Sequence, residues 1–293
     1  MPTTLSPLRY PGGKSQMSDF IYQLLISNNI SNGIYIEPFA GGAGIAMDLL
    51  LKKRVSRVVI NDFDIAIYAL WYSILNYTGE FIELILETPV NMKEWYKQKD
   101  IYSNKDNTRL LDLGFSTFFL NRTNNSGIIT GGPIGGHDQT GEYKIDCRFN
   151  KPNLIKKISD ISKHKEAITL FNMNAVDFIE EVIKENMDEN KTFIFFDPPY
   201  YKQGKNLYTN FFNHNDHQEL AKCILDLSDY HWITTYDYED AILELYDDCP
   251  TKLYSLQYSA RNSRKEKEYL FHNKKTIVES FDKVIFENSL ITK

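Results

Sequence analysis

The chain has 293 residues, 42% apolar and 14% aromatic, with a net charge of −6. This fits one large α/β domain, or a domain with a substantial insert, and excludes a disordered chain. No apolar run approaches membrane-spanning length, and the acidic balance argues only mildly against a nucleic-acid partner, because that footprint is local.

The opening Met1-Pro2-Thr3-Thr4-Leu5-Ser6 lacks the charged and apolar regions of a secretory leader. Cys147, Cys223 and Cys249 are odd in number and far apart, with neither a disulfide framework nor metal-ligand spacing. A reducing, cytoplasmic setting with buried thiols is expected. There is no HExxH, CxxC or clustered His/Cys set, so no catalytic metal is expected.

In chain order, Ile34-Tyr35-Ile36 predicts a strand, then a glycine-rich turn, and Ile45 to Lys53 has helical spacing. Arg57-Val58-Val59-Ile60 predicts the next strand and Ile65 to Asn76 the next helix. This βαβ start implies a parallel sheet with right-handed crossovers. From Phe81 to Lys165 the alternation breaks. Helices are expected over Met92 to Tyr102 and Arg109 to Leu120, then a Gly-, Asn- and Thr-rich loop from Asn121 to Gly141, then a basic helix. Loops of that length in compact domains are functional or disordered. We read 81–165 as an inserted, mostly helical domain within a catalytic domain of 1–80 and 166–293.

The alternation then resumes. Ile168 to Phe171 predicts a strand, Ala175 to Lys184 a helix opened by Asn174, and Thr192 to Phe196 a buried strand. A helix from about Asp216 to Leu227 and a strand at Trp232 to Thr235 follow. Two antiparallel edge strands are expected near Leu253–Tyr258 and Glu268–Phe271.

Three segments carry chemistry. Leu8-Arg9-Tyr10-Pro11-Gly12-Gly13-Lys14 sets an aromatic ring and a lysine around a tight turn. Lys14 suits a small carboxylate and Tyr10 can pack on a ligand; an N-terminal turn with an exposed lysine reads equally well. Glu37-Pro38-Phe39-Ala40-Gly41-Gly42-Ala43-Gly44 follows the first strand, and its glycines allow a tight turn and close ligand approach. It lacks GxGxxG spacing, which disfavours a nicotinamide oxidoreductase. Glu37 at the strand end is poorly placed for a pyrophosphate and suits a ligand with positive charge and hydroxyls, such as S-adenosylmethionine. Asp62, after Asn61, stands where a ribose-binding acid sits in dinucleotide folds, or caps the next helix.

The third segment is Asp197-Pro198-Pro199-Tyr200, closing the apolar run Thr192-Phe193-Ile194-Phe195-Phe196. Proline fixes its own φ and keeps the preceding residue out of the helical region, so this backbone is stiff and extended. A carboxylate, two prolines and a ring at a central strand's end can grip a flat, amino-bearing base; a plain strand and proline turn is the other reading. Basic segments at Tyr143–Lys165 and Lys252–Lys275 flank this strand and suggest a phosphate-binding rim.

Together, Arg9 to Lys14, Glu37 to Gly44, Asn61-Asp62, the long insert and Asp197 to Tyr200 resemble the Dam-like adenine-specific DNA methyltransferases, the D12 class with the alpha motif order. The resemblance covers nearly the whole chain. It implies a Rossmann-like α/β fold with a helical target-recognition insert, S-adenosylmethionine as donor, and N6 methylation of adenine in double-stranded DNA, with base flipping. It assigns Tyr10, Lys14, Asp62 and Asp197 to the cofactor, joined by Glu37, Phe39 and Gly41 of the glycine turn. It assigns Asp197, Pro198 and Tyr200 to the reaction: the Asp197 carboxylate and Pro198 carbonyl would take the two N–H groups of adenine, and Tyr200 would stack. Tyr208-Thr209-Asn210-Phe211 would close over the base, or else pack on the sheet.

Phe119-Leu120-Asn121-Arg122 looks like the family's segment that enters DNA, so Arg9, Asn121, Arg122, Asn124, Asn125 and Ser126 are the expected DNA contacts. Familiar Dam proteins carry an arginine where Thr130 falls, and arginine is the usual reader of guanine. A GATC site is therefore not implied. Cognate restriction or defence proteins are candidate partners. Methylation of RNA or a protein amide, and a non-catalytic DNA-binding subunit, remain alternatives.

Overall fold

The computed structural model describes residues 4–9, 14–202, 212–258 and 264–287. The strands are β1 (Ile34–Glu37), β2 (Arg57–Asn61), β3 (Ile168–Phe171), β4 (Thr192–Phe196), β5 (His231–Asp237), β6 (Thr251–Tyr258) and β7 (Arg264–His272). They form one sheet in the order β3-β2-β1-β4-β5-β7-β6. The pairs among β3, β2, β1, β4 and β5 are parallel, and β7 runs antiparallel to both β5 and β6.

The helices are α1 (Ser18–Ser27), α2 (Gly44–Leu51), α3 (Ile65–Asn76), α4 (Thr78–Glu87), α5 (Met92–Ser103), α6 (Leu110–Thr123), α7 (Lys151–Ser162), α8 (Ala175–Asp177), α9 (His214–Leu225) and α10 (Asp240–Leu245). Side-chain caps start several of them. Asp64 accepts from Ala66 N, Asn91 from Glu94 N, and Asn150 from Asn153 N. Asn213 and Asp216 form a reciprocal capping box at α9. Asn174 caps α8 as expected, but the chain continues as a π-helix, Phe178–Lys184. That wider turn brings Phe178, Ile179, Val182 and Ile183 together in the core.

Period-two alternation divides the strands between two cores. Tyr35, Val58, Ile60, Phe193 and Phe195 face one cluster; Ile36, Val59, Ile194 and Phe196 face the other. The expected insert has no core of its own among the described residues. Phe81, Trp95, Phe115, Phe118, Phe119 and Ile158 join the same cluster as Leu49, Val58 and Trp71. Burial of a side chain such as Phe118 stabilises by about 1.5–3 kcal/mol, so these helices are fixed to the sheet rather than tethered. Gly114 permits the closest approach: a Cβ there would lie 2.5 Å from the Ala69 carbonyl oxygen of α3.

One expectation is corrected. Cys147 is exposed, and Cys223 and Cys249 are half-buried, so the thiols are not core groups. Among the described residues no helix is long and apolar enough to cross a membrane.

Candidate active site and nucleic-acid face

The strand order reverses between β1 and β4, so a crevice opens at their carboxyl ends. Asn61, 1% exposed, ties three strand ends together there. Its amide donates to Pro38 O and Met173 O at 3.0 Å each and accepts from Met173 N at 2.9 Å. Asp62 holds the glycine turn: Oδ2 accepts from Gly41 N at 2.8 Å and Oδ1 from Asp64 N at 2.9 Å. Gly41 takes φ 44°, and buried Trp71 donates its indole N–H to the Gly41 carbonyl at 2.9 Å. Glu37, 5% exposed, accepts from Tyr35 OH and Ala46 N at 3.1 Å each. Burial pushes Glu37 up to about 8 and Asp62 to about 7. Phe39 packs edge-on to Phe212 at 6.1 Å.

Asp197 ends β4 beside this turn. Its Oδ1 accepts from Thr235 Oγ1 at 2.9 Å and lies 3.7 Å from Lys14 Nζ. Burial raises its pKa to about 6, against the lowering effect of Lys14. Pro198 is buried, and Tyr200 is half-buried. Asp237 of β5 fixes the chain just beyond, accepting from Tyr201 N at 2.9 Å and Lys202 N at 3.0 Å.

Lys14 has a different partner from the one the sequence suggested. It is 4% exposed, and its ammonium meets Glu268 of β7 at 2.5 Å and the Tyr200 hydroxyl. Glu268, Tyr254, Trp71, Thr235 and Asp237 were not singled out by sequence reasoning. Glu268 is in phase along β7 with Leu270, whose side chain is core, so the pairing of β7 places its carboxylate on a buried face. Tyr10, and the Tyr208 to Phe211 segment, lie outside the described residues.

On the other side of the crevice, the N-terminal segment docks against the end of α6. Asn121, 0% exposed, accepts from Arg9 N and donates to Arg9 O and Gly127 O, all at 2.9 Å. Gly127 (φ 79°) is required there: a Cβ would stand 2.0 Å from Arg9 O. Asn124, also 0% exposed, accepts from Trp95 Nε1 at 2.7 Å and donates to Ile128 O at 3.0 Å and Ile129 O at 2.8 Å. Burial spends the amides of Asn121 and Asn124 on shaping the loop, so the expectation that they touch DNA does not fit this conformation. Phe119 and Leu120 are core residues for the same reason. Asn125 is exposed, and Ser126 is half-buried with φ 57°.

Arg9, Arg122 and Arg148 gather beside that loop. Arg9 Nη1 donates to Asn124 O at 3.3 Å, and Arg122 donates to Arg148 O, with Nε at 2.9 Å. Lys157 donates to Thr4 O at 2.6 Å and Ser6 O at 3.1 Å. The hydrogen bonds of Arg9, Arg122 and Lys157 go to backbone carbonyls, and among the described residues none of the three, nor Arg148, pairs with a carboxylate. Burial, then repulsion from Arg9 and Arg148, pulls Arg122 down to about 10; burial, then Arg148, lowers Arg9. Part of the remaining basic stretch is neutralised. Lys156 and Lys163 pair with Asp160, and Lys151 closes the end of α4 by donating to Leu86 O and Thr88 O. In the second stretch Lys267 pairs with Glu287 at 2.9 Å, while Arg261 lies outside the described residues.

The model of the D12 class N6 adenine-specific DNA methyltransferases matches residues 10–262. The chain belongs to that family. A relative, the Type II methyltransferase M.MjaIII of Methanocaldococcus jannaschii, is 28% identical over 235 residues, 73% of this chain and 77% of its own. Among solved structures, the rRNA methyltransferase aviRa from Streptomyces viridochromogenes covers 91% of this chain and 87% of its own at 9% identity, with a TM-score of 0.37. The fold is read instead from the strand order and the family: a Rossmann-like methyltransferase sheet.

A D12-class enzyme transfers its methyl group from S-adenosylmethionine to the N6 amino group of adenine in DNA. The residues at the glycine turn fit that donor. Two carboxyls, Glu37 and Asp62, flank Gly41 and are raised by burial; a ligand bearing sulfonium and ammonium charges would offset that burial cost.

Proposed function

We propose that this D12-class enzyme acts on an adenine turned out of a short duplex DNA site. The observation that carries the reading is the position of Asp197: at the reversal point of the sheet, clamped by Thr235, beside the carboxyl-lined turn. Asp197, raised only to about 6, is mostly ionised at neutral pH and can accept one N–H of the adenine amino group. The Pro198 carbonyl takes the second. These two bonds favour a tetrahedral nitrogen whose lone pair points away from the ring. The Tyr200 ring, anchored at its hydroxyl by Glu268 at 2.7 Å, offers a face for the base. S-adenosylmethionine, when bound, supplies an activated methyl group on a sulfonium; Glu37, Asp62 and the Gly41 turn would hold it, with Phe39 alongside.

A base inside a duplex cannot reach this crevice, so flipping is part of the proposal and costs a few kcal/mol. Phosphate contacts at Arg9, Arg122 and Arg148, with Asn125 and Ser126 at the exposed loop, would offset that cost. The α4–α7 region, 81–165, serves as the target-recognition part. The Type II name of the M. jannaschii relative supports a cognate restriction partner.

Methyl incorporation into duplex DNA, RNA and protein, measured side by side, tests the substrate class. DNA label with neither of the others is expected. Once the site is mapped by methylation-sensitive sequencing, 2-aminopurine at the target position should brighten on binding. Unchanged fluorescence in a tight complex would remove base flipping from the reading.

A further inference from the structure

Glu268 reaches the site from the antiparallel strand β7, far along the chain from the family's motifs. It is 1% exposed, and its carboxylate takes three donors. Lys14 Nζ and Tyr254 OH each lie 2.5 Å from Oε2, and Tyr200 OH lies 2.7 Å from Oε1. The same ammonium stands 3.7 Å from Asp197 Oδ1, ion-pair range but beyond a hydrogen bond. It also faces the Tyr200 ring, 4.9 Å from the centroid. One buried cation is thus shared between two carboxylates, and held closer to the one that does not end β4.

We propose that Glu268 is a positioning residue for methyl transfer: it anchors the Lys14 ammonium and the Tyr200 hydroxyl so that the Asp197 carboxylate stays available to the adenine amino group. This rests on the reading of Asp197 given above. Without Glu268, the buried ammonium loses its nearer carboxylate and would shift toward Asp197, the other one within 4 Å of it among the described residues. The lysine would then compete with adenine for Asp197, and Tyr200 would lose the anchor that orients its ring. A misplacement on the scale of 1 Å costs about a hundredfold in rate.

A structural role for the pair, pinning the N-terminal segment to β7, would cost stability and affinity and leave kcat; a positioning role costs kcat with the affinities kept. Asp197 is faced by Tyr35 and Glu37 of β1, Thr235 and Tyr236 of β5, and Lys14, Tyr200 and Glu268. Of these, Lys14 stabilises the ionised form and Glu268 opposes it. Removing the Glu268 charge therefore moves the acid limb of the rate profile to lower pH.

The test compares the full-length native protein, Glu268→Gln, Glu268→Asp and Asp197→Ala in methyl transfer to DNA across pH, with donor and DNA affinities measured separately. Glu268→Gln should lose about a hundredfold in kcat, keep both affinities within about threefold, and show the lowered acid limb. Glu268→Asp keeps the charge but falls short of the three donors, and should lose about tenfold in kcat. Native kcat in Glu268→Gln, or a lowered kcat with an unmoved acid limb, overturns the proposal. If Glu268→Gln does not fold, Glu268→Asp decides, and a native rate there overturns it. An inactive Asp197→Ala beside an unimpaired Glu268→Gln removes this proposal alone; an active Asp197→Ala removes the reading of Asp197 and this proposal with it.

Discussion

The two sides of the crevice have opposite electrostatics. At the strand ends, Glu37 and Asp62 line the glycine turn, and Asp197 and Glu268 share the Lys14 ammonium. Across from them, Arg9, Arg122, Arg148 and Lys157 gather with no carboxylate partner among the described residues, and each guanidinium depresses its neighbours. The first suits a cationic donor; the second suits a polyanion. The net charge of −6 conceals both. Global charge is therefore a poor guide here, because each ligand meets only its local field.

The largest effect should come from the acidic side. Asp197→Ala should cost about 10²–10³ in kcat while leaving the melting temperature and DNA affinity close to native. Asn124→Ala sharpens the contrast from the other side. It strands the Trp95 indole and two carbonyls, so it should destabilise by about 1–3 kcal/mol, about 2–4 °C in melting temperature for each kcal/mol. If Asn124 reads DNA instead, stability stays and affinity falls.

Arg122→Ala and Arg148→Ala should each weaken DNA binding about tenfold and lower the salt slope by about one, leaving donor affinity unchanged. A native salt slope would mean that the arginine cluster meets no phosphate. The smallest effect is with pH. Glu37 and Asp62 keep their protons in the fold above the range where the unfolded chain releases them, so the ligand-free fold loses stability as pH rises toward about 8. A cationic donor favours their ionised forms. Its affinity should rise between about pH 6 and 8, by at most about tenfold per unit for each group, with proton release on binding in calorimetry. Binding without proton release would break the assignment of these carboxyls to the donor.

The acidic side was legible in the sequence where local rules act. An apolar run stopped by Asp197-Pro198-Pro199 marks a strand end, and Glu37 before a glycine turn marks another. The helices over 65–76 and 92–103 follow from apolar spacing and caps. Glu268 was not legible, because Lys265-Glu266-Lys267-Glu268 reads as a solvated charge run until pairing with Tyr254 turns one of its acids inward. The burial of Asn121 and Asn124 was not legible for the opposite reason. A polar residue in a loop looks available, and only tertiary packing shows that Arg9, Gly127 and Trp95 claim their amides. The basic helix likewise looked like a phosphate rim, yet Asp160 and the end of α4 take up most of its lysines.

Methyl transfer depends most on Asp197 gripping an adenine amino group. Transfer of a tritiated methyl group to duplex DNA, followed by separation of the nucleosides, tests this directly. Label on N6-methyladenine with the native protein, and label formed at least about a hundredfold more slowly with Asp197→Ala, is the expected result. Label on another base, or an Asp197→Ala protein as active as the native one, would contradict it.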